Sequence, residues 1–383
     1  MKRRVKYFIW IATALVALGA LVLVSGVVPI KASSGHLPPT RWFLEYASSR
    51  SISTHSLGIE VPPLEEPGYV QLGAATYDVN CRFCHGSPDQ PKMPVAQGMT
   101  PKPPYLPKVV GQWEDRELFY IVRHGIKFAG MPAWPTQQRT EEIWPVVAFL
   151  RAFRDMDAAT YLKLTRPPAV DAEDSTPVAR LAGTCSVCHG PDGAAPVSSL
   201  VPRLAGQSAV YLANSLIAYQ SGERYSGVMQ PIAADLLPSE IEALAAYFAE
   251  QNPAGEEPAE NAAVRIDLPR SSTAAERDRS LGETLAQMGN TEDKIPSCVD
   301  CHGPGTQLRD PAYPLLAGQP ARYLELHLRL FAERHRGGSP HKHKMYPVAD
   351  VLDPQQRAAL AEYYSSLPST PATEPEAVSA ESR

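Results

Sequence analysis

Residues 81–85 read CRFCH, and the same five-residue pattern returns as CSVCH at 185–189 and as CVDCH at 298–302. These three copies contain all six cysteines of the 383-residue chain. On a helix, side chains at positions i, i+3 and i+4 project from one side, so the two thiols and the imidazole of each copy converge on one object. The repetition therefore predicts three equivalent binding sites.

Several kinds of chemistry use closely spaced cysteines. Disulfides would be usual for six cysteines in an exported chain, but they do not need a histidine directly after each pair. A structural zinc ion needs four ligands, and each copy offers only three. A thioredoxin-like pair needs no histidine and expects a βαβ context, which the sequence does not show. C-x-x-C-H is instead the attachment signal of haem c.

In haem c the thiols form thioethers with the porphyrin vinyl groups, and the imidazole binds the iron as the proximal ligand. The sequence thus predicts three covalently bound haem c groups, each with its iron. The predicted attachment residues are Cys81, Cys84, Cys185, Cys188, Cys298 and Cys301, and the predicted proximal ligands are His85, His189 and His302.

The distal ligand decides whether an iron only carries electrons or also binds a substrate. Three methionines share one register, because each precedes an aromatic residue by eighteen positions in a segment with helical apolar spacing. We predict that these three are the distal ligands: Met131 before Phe149, Met229 before Tyr247, and Met345 before Tyr363.

Other residues remain candidates at two of the irons. Met93 and Met99 lie in a proline-rich loop that is closer in sequence to the first motif. His341 and His343 lie just before Met345, and a histidine ligand would lower the reduction potential of that haem. A methionine in an apolar setting can also be ordinary core filler.

The N-terminal segment indicates export. Basic residues within 2–6 precede an uncharged, mostly apolar run at 7–30, which is long enough as a helix to cross a hydrocarbon core roughly 30 Å thick. The basic flank stays in the cytoplasm, so the rest of the chain lies outside. A cleaved signal peptide is the alternative, with processing at Gly26. We predict a single-pass anchor in a bacterial inner membrane, with the haem domains in the periplasm.

The segment RWFLEYASSR at 41–50 follows the apolar run. Trp42, Phe43 and Tyr46 could lie on one side of a short helix at the membrane surface. The alternative is an ordinary helix that packs on the first domain.

Apolar spacing near a helical period, without convincing alternation, predicts an all-α fold. The haem motifs and their methionines delimit three units, each near the lower size at which an apolar core alone suffices. The predicted divisions are an anchor at 1–30, a juxtamembrane segment at 31–66, a first unit at 67–155, a linker at 156–176, a second unit at 177–251, a linker at 252–277, a third unit at 278–368, and a disordered tail at 369–383.

The second and third units form an internal repeat. They share LAGQ at 204–207 and 316–319, and each copy is followed by Tyr-Leu, at 211–212 and 323–324. The combination of C-x-x-C-H-G-P, P-x-L-A-G-Q and M-x-P-x-A-x-x-L resembles class I cytochromes c. About half the chain, the second and third units, resembles the diheme type, in which two such domains pack as a pseudo-symmetric pair. GMPAW at 130–134 resembles the single-haem domains of membrane-anchored bacterial cytochromes c.

This resemblance implies that Pro202 and Pro314 pack near the proximal histidines and that Tyr211 and Tyr323 line the haem pockets. The third unit departs from the pattern through a longer insertion before its methionine. We interpret the basic residues of that insertion either as a solvated loop or as a docking surface for an acidic partner: Arg329, Arg334, Arg336, Lys342 and Lys344.

Three irons with both axial positions filled leave one-electron transfer as the available chemistry, so the sequence does not predict an enzyme. It predicts an electron carrier between a quinol-oxidising complex or a dehydrogenase and a terminal acceptor such as a haem-copper oxidase. The alternatives are the cytochrome subunit of a periplasmic dehydrogenase and a haem enzyme with one open iron. A net charge of −5 gives no indication of nucleic-acid binding.

Overall fold

The computed structural model describes residues 2–28, 31, 33–166, 176–253, 272–304 and 310–369. It confirms the all-α prediction, because these residues form helices joined by loops and contain no β-strand beyond isolated bridges. Most of the predicted linker at 252–277 and nearly all of the predicted tail at 369–383 lie outside the described residues.

The two N-terminal helices are α1, Lys2–Ser25, and α2, Pro38–His55. Helix α1 is long and apolar enough to cross a membrane, and none of its most apolar stretch is buried inside the protein. Both a membrane anchor and a signal sequence have these two properties.

Helix α2 packs on the first unit at one end and leaves aromatic side chains exposed at the other. Its aromatic residues near the N-terminus, Trp42 and Phe43 among them, are more than half exposed. Near its C-terminus Ile52 is buried, and the Ser53 hydroxyl donates a hydrogen bond to Glu117 of the first unit at 2.6 Å. One end of α2 therefore packs on the first unit and the other presents aromatic side chains to the surroundings.

The first unit contains six α-helices: α3 Tyr69–Asn80, α4 Arg82–His85, α5 Pro94–Gln97, α6 Asp115–His124, α7 Ile143–Phe153 and α8 Ala158–Thr165. Helix α8 lies within the segment that the sequence assigned to a linker at 156–176. Tyr161 of α8 is fully buried among the aromatic side chains of α7, and its hydroxyl donates to Asp78 at 2.6 Å. The first unit therefore extends to Thr165.

The second unit contains α9 Pro177–His189, α10 Ala209–Gln220, α11 Met229–Ala234 and α12 Pro238–Glu250. The third contains α13 Ser272–Met288, α14 Val299–His302, α15 Ala321–Ala332, α16 Lys342–Val351 and α17 Pro354–Ser366, so α13 begins before the predicted boundary at 278. The last helix starts with a capping box, in which Asp353 accepts from the Gln356 N–H at 2.8 Å and the Gln356 side chain accepts from the Asp353 N–H at 3.0 Å.

In the first and third units, a glycine allows the first helix to cross a later helix closely. A Cβ placed on Gly73 of α3 would lie 2.0 Å from the Pro145 carbonyl oxygen of α7, and one on Gly282 of α13 would lie 2.1 Å from the Ala359 carbonyl oxygen of α17. Any larger residue would force these helices apart.

We therefore expect Gly73→Ala to destabilise the first unit by about 1–3 kcal/mol, through overpacking of backbone against backbone. Denaturant unfolding followed by helical circular dichroism measures this loss. Gly98→Ala is the matched control, because its nearest atom would lie 3.5 Å away at normal contact distance. Equal stability of the two variants would contradict the close crossing.

Candidate haem sites

Each motif ends its helix at the histidine. His85, His189 and His302 are the last residues of α4, α9 and α14, and all three are less than a tenth exposed. The glycine that follows each histidine adopts a positive φ, which ends the helix without steric strain. The backbone therefore turns away directly after each histidine, and a separate loop from later in the chain packs against the imidazole.

That loop supplies the same hydrogen bond at all three sites. The Nδ1 atom of His85 donates to the carbonyl oxygen of Pro104 at 2.8 Å, that of His189 to Pro202 at 2.9 Å, and that of His302 to Pro314 at 3.0 Å. Because a carbonyl can only accept, Nδ1 carries the proton and Nε2 keeps its lone pair for a metal.

The electrostatic environment also favours the ligating form of the histidines. Burial lowers the pKa of His85 and His189, although the hydrogen bonds to Pro104 and Pro202 act in the opposite direction. A neutral imidazole is the form that binds iron.

Pro202 and Pro314 lie against the proximal histidines, as the resemblance implied, but Pro104 was missed. The signal that could have found it is a Pro-x-Leu triplet, which occurs at 104–106, 202–204 and 314–316. In the first unit the triplet lacks the following Ala-Gly-Gln, so it did not stand out.

The six cysteines form no disulfides. Three of them are poor nucleophiles as free thiols: burial raises the pKa of Cys81 and Cys188 to about 12 and that of Cys298 to about 11. A redox-active C-x-x-C pair instead has a lowered thiol pKa. These environments favour thiols that serve as attachment points.

The three methionines that share a sequence register have different local structures. Met131 lies in a tight loop, where its carbonyl accepts from the Ile126 N–H at 3.1 Å. Met229 is the first residue of α11, and Met345 lies inside α16, two residues before Pro347.

The two alternative methionines of the first unit are placed differently from each other. A Cβ on Gly130 would lie 2.4 Å from the Met99 methyl carbon, so Met99 lies directly beside the Met131 loop. Met93 is about half exposed. Of these two, Met99 is the one that the fold brings to the predicted distal side.

One of the two alternative histidine ligands of the third iron is engaged elsewhere. The Nε2 atom of His341 lies 2.7 Å from a carboxylate oxygen of Asp310, and its ring stacks edge-on against Tyr313 at 5.0 Å. Tyr313 directly precedes Pro314, which binds His302, so His341 is held beside the proximal loop. This arrangement favours Met345 over His341 as the distal ligand, and His343, the other histidine candidate, is exposed.

Two buried arginines meet where the second and third units join. Arg224 and Arg336 are 3% and 5% exposed, and their backbones form an isolated antiparallel bridge. Each guanidinium reaches the tyrosine of the other unit: Arg224 donates to the Tyr323 hydroxyl at 3.0 Å and Arg336 to the Tyr211 hydroxyl at 3.1 Å. The hydroxyls of Tyr211 and Tyr323 thus both reach the junction between the two units.

The charge of this arginine pair is not balanced by the chain residues around it. Both Nε atoms lack a hydrogen-bond partner, and among the described residues neither guanidinium forms an ion pair with a carboxylate. Although burial alone would raise the pKa of Tyr211, the nearby Arg336 and Arg224 charges outweigh it and lower the pKa. Buried positive charge of this kind requires anions.

Haem supplies such anions, because its propionates are carboxylates that accept bidentate hydrogen bonds from guanidinium groups. The guanidinium groups of Arg224 and Arg336 are therefore suitable partners for the propionates of haem groups on both sides of the junction. The interpretation of Arg336 as part of a solvated or docking loop is wrong, since Arg336 is buried by the packing of the two units. Its neighbours Arg334 and Lys342 do lie at the surface, paired with Asp350 and Glu223.

Two glutamines form reciprocal hydrogen bonds across the junction. Gln207 donates to the Leu315 carbonyl at 2.7 Å and accepts from the Leu315 N–H at 2.9 Å. Gln319 makes the same pair of bonds with the backbone of Arg203, both at 3.0 Å. These are the glutamines of the repeated LAGQ, so the repeat is a reciprocal contact between the two units.

Comparisons with known proteins agree with this architecture. The chain belongs to the class I cytochrome c family, whose domains carry covalently bound haem c. Residues 69–150 match the family model described as cytochrome c oxidase, cbb3-type, subunit III, and residues 280–368 match the model of cytochrome c.

The relatives to which the chain is similar include an electron acceptor and several cytochromes c. It is 34% identical to the thiosulfate dehydrogenase electron acceptor of Thiomonas intermedia, over 50% of this chain and 81% of that protein. It is 33% identical to cytochrome c4 of Thiocapsa roseopersicina, over 49% of this chain and 90% of that protein, and 33% identical to cytochrome c-552 of Acidithiobacillus ferridurans, over 52% and 80%.

Proposed function

We propose that this chain is a membrane-anchored periplasmic cytochrome with three haem c groups, which carries electrons between a respiratory donor and a terminal acceptor. The observation that carries the proposal is the hydrogen bond from each motif histidine to a proline carbonyl, because it presents Nε2 as an iron ligand three times in one chain. When bound, haem c supplies reversible one-electron transfer.

The residues of the chain hold and tune that group. The motif cysteines would tether it, and the motif histidines together with Met131, Met229 and Met345 would be its iron ligands. Sulfur ligation raises the reduction potential and leaves no open position for a substrate, which is the reason for proposing a carrier rather than an enzyme.

We propose a periplasmic dehydrogenase as the donor. The relative from Thiomonas intermedia is named as the electron acceptor of thiosulfate dehydrogenase, which supports such a donor here. The acceptor that we propose is a haem-copper oxidase, because the first unit matches a family described as a subunit of a cytochrome c oxidase. A quinol-oxidising complex is the alternative donor.

Rapid mixing tests the donor. The oxidised full-length protein is mixed with thiosulfate dehydrogenase and thiosulfate, and haem reduction is followed by absorbance. We expect reduction at least about tenfold faster than with thiosulfate alone. The same protein is mixed in parallel with a quinol-oxidising complex and quinol. Reduction only in that second mixture would replace the donor, and reduction in neither would contradict the respiratory role.

Carbon monoxide separates the carrier from a haem enzyme. We expect the reduced protein to bind far less than one equivalent of carbon monoxide per chain, because both axial positions of each iron are filled. Spectral titration measures this binding. Stoichiometric binding at one iron would instead support the enzyme alternative at that site.

The membrane anchor is proposed from the exposed apolar surface of α1 and from the exposed aromatic side chains of α2. Its test is the mass of the mature protein recovered from membranes. A chain that begins after Gly26 would show that the segment is a cleaved signal.

A further inference from the structure

The loop at 225–229, which carries the predicted ligand Met229, is bound by the first unit. Trp134, only 6% exposed, packs its indole directly on Gly227, where an added Cβ would lie 2.1 Å from the ring nitrogen. Asn80, at the end of α3, donates to the Gly227 carbonyl at 3.3 Å. The loop is therefore enclosed by residues of a different unit.

Glu142 makes the central polar contact with this loop. One carboxylate oxygen accepts from the Ser226 hydroxyl and the other from the Gly227 N–H, both at 2.6 Å. The Arg139 guanidinium lies 3.1 Å from the same carboxylate and donates to the Tyr225 carbonyl at 2.9 Å. A buried carboxylate with a cationic partner and two donors is a fixed anchor, because its hydrogen bonds are charge-assisted.

Ser226 connects the Glu142 carboxylate to the backbone of Met229 through hydrogen bonds. Its hydroxyl oxygen accepts from the Met229 N–H at 2.9 Å and from the Val228 N–H at 3.2 Å. A hydroxyl has one proton and two lone pairs, so donation to Glu142 directs both lone pairs towards these N–H groups. Two hydrogen bonds therefore connect the Glu142 carboxylate to the backbone of Met229.

We propose that the first unit holds the Met229 loop of the second unit in its iron-ligating position, with Glu142 as the positioning residue. This inference rests on the proposed function, in which Met229 is the distal ligand. The third unit offers an internal comparison, since the hydrogen bonds described for the segment around Met345 go to the second and third units. The potential and ligation of one haem would thus depend on the docking of a neighbouring domain.

Glu142→Gln tests the proposal with little change in volume. If the amide NH2 faces the Gly227 N–H, that bond is lost. If it faces Ser226, the hydroxyl must accept instead of donate, and it gives up a lone pair that otherwise accepts from the Met229 N–H or the Val228 N–H. In the oxidised full-length protein we expect the weak red absorption band of methionine-ligated iron to fall by up to about a third, since one of three irons is affected. In a redox titration one of the three transitions should shift to lower potential.

The matched control is Glu141→Gln. Glu141 also pairs with Arg139 but makes no hydrogen bond to the loop, so this variant should keep the full band. Ser226→Ala removes the connecting hydroxyl from the other side, and we expect the effects of S226A and E142Q in the double variant to be far less than additive. If E142Q impairs haem attachment, S226A provides the same test within the second unit.

Met229→Leu separates the inference from the proposed function. Loss of about a third of the band in this variant, together with full retention in E142Q and S226A, would overturn the positioning role alone. An unchanged band in M229L would overturn Met229 as ligand and the inference with it. A reduced band in M229L, E142Q and S226A, with a full band in the Glu141 control, is the result that we expect.

Discussion

Replacing both Cys185 and Cys188 with alanine is expected to lower the covalently bound haem from three groups per chain to two and to unfold the second unit, and with it the third unit on which it packs. The reason lies in the cores of the units. The hydrophobic cluster of the second unit contains five buried residues, whereas that of the first contains thirteen. A core this small cannot offset the conformational entropy of the unit without a large buried cofactor.

The mass of the intact protein and the haem-to-protein ratio measure the first effect, and helical circular dichroism measures the second. The matched control is the replacement of Cys81 and Cys84 with alanine, which should also remove one haem but leave most helical structure of the first unit intact. Retention of three haems in either variant would contradict attachment through these cysteines. Equal loss of helix in both would contradict the difference between the cores.

Replacing both Arg224 and Arg336 with leucine is expected to lower the potentials of the second and third haems. A buried positive charge favours the reduced, less positive state of a nearby iron, so its removal favours the oxidised state. At an effective dielectric constant of about 20, charges roughly 10 Å apart interact by about 1–2 kcal/mol. That is about a tenfold change in the reduction equilibrium, or about 59 mV for one electron.

A redox titration followed by absorbance measures these shifts, and the first haem should keep its potential. Arg334→Leu is the control, because Arg334 is exposed and already paired with Asp350. If the buried pair could be removed without a shift in any of the three transitions, Arg224 and Arg336 would not be counterions of the haem groups.

The parts of this architecture that are local in sequence were predictable. Each C-x-x-C-H motif spans one helical turn, so its chemistry could be derived from spacing alone. The long apolar helices were also predictable from their periodicity. Tyr161, by contrast, lies in a polar segment that looked like a linker, and only its burial against Phe149 and Phe153 shows that it belongs to the first core.

The junctions between units were not predictable from the sequence. Arg224 and Arg336 lie at different distances before their methionines, and each alone resembles a surface residue. Only the packing of the two units shows that they meet. Glu142 was not singled out from the sequence, because the loop that it binds lies more than eighty residues away.

The exchange of Gln207 and Gln319 limits how this chain can be divided. Each side-chain amide bonds to both the N–H and the C=O of one residue of the other unit. Separating the second and third units would therefore leave four hydrogen-bonding atoms without partners on each exposed face. The pair is expected to behave as a single cooperative block that unfolds together. Engineers who wish to recombine this protein with other modules should therefore keep residues 177–368 whole.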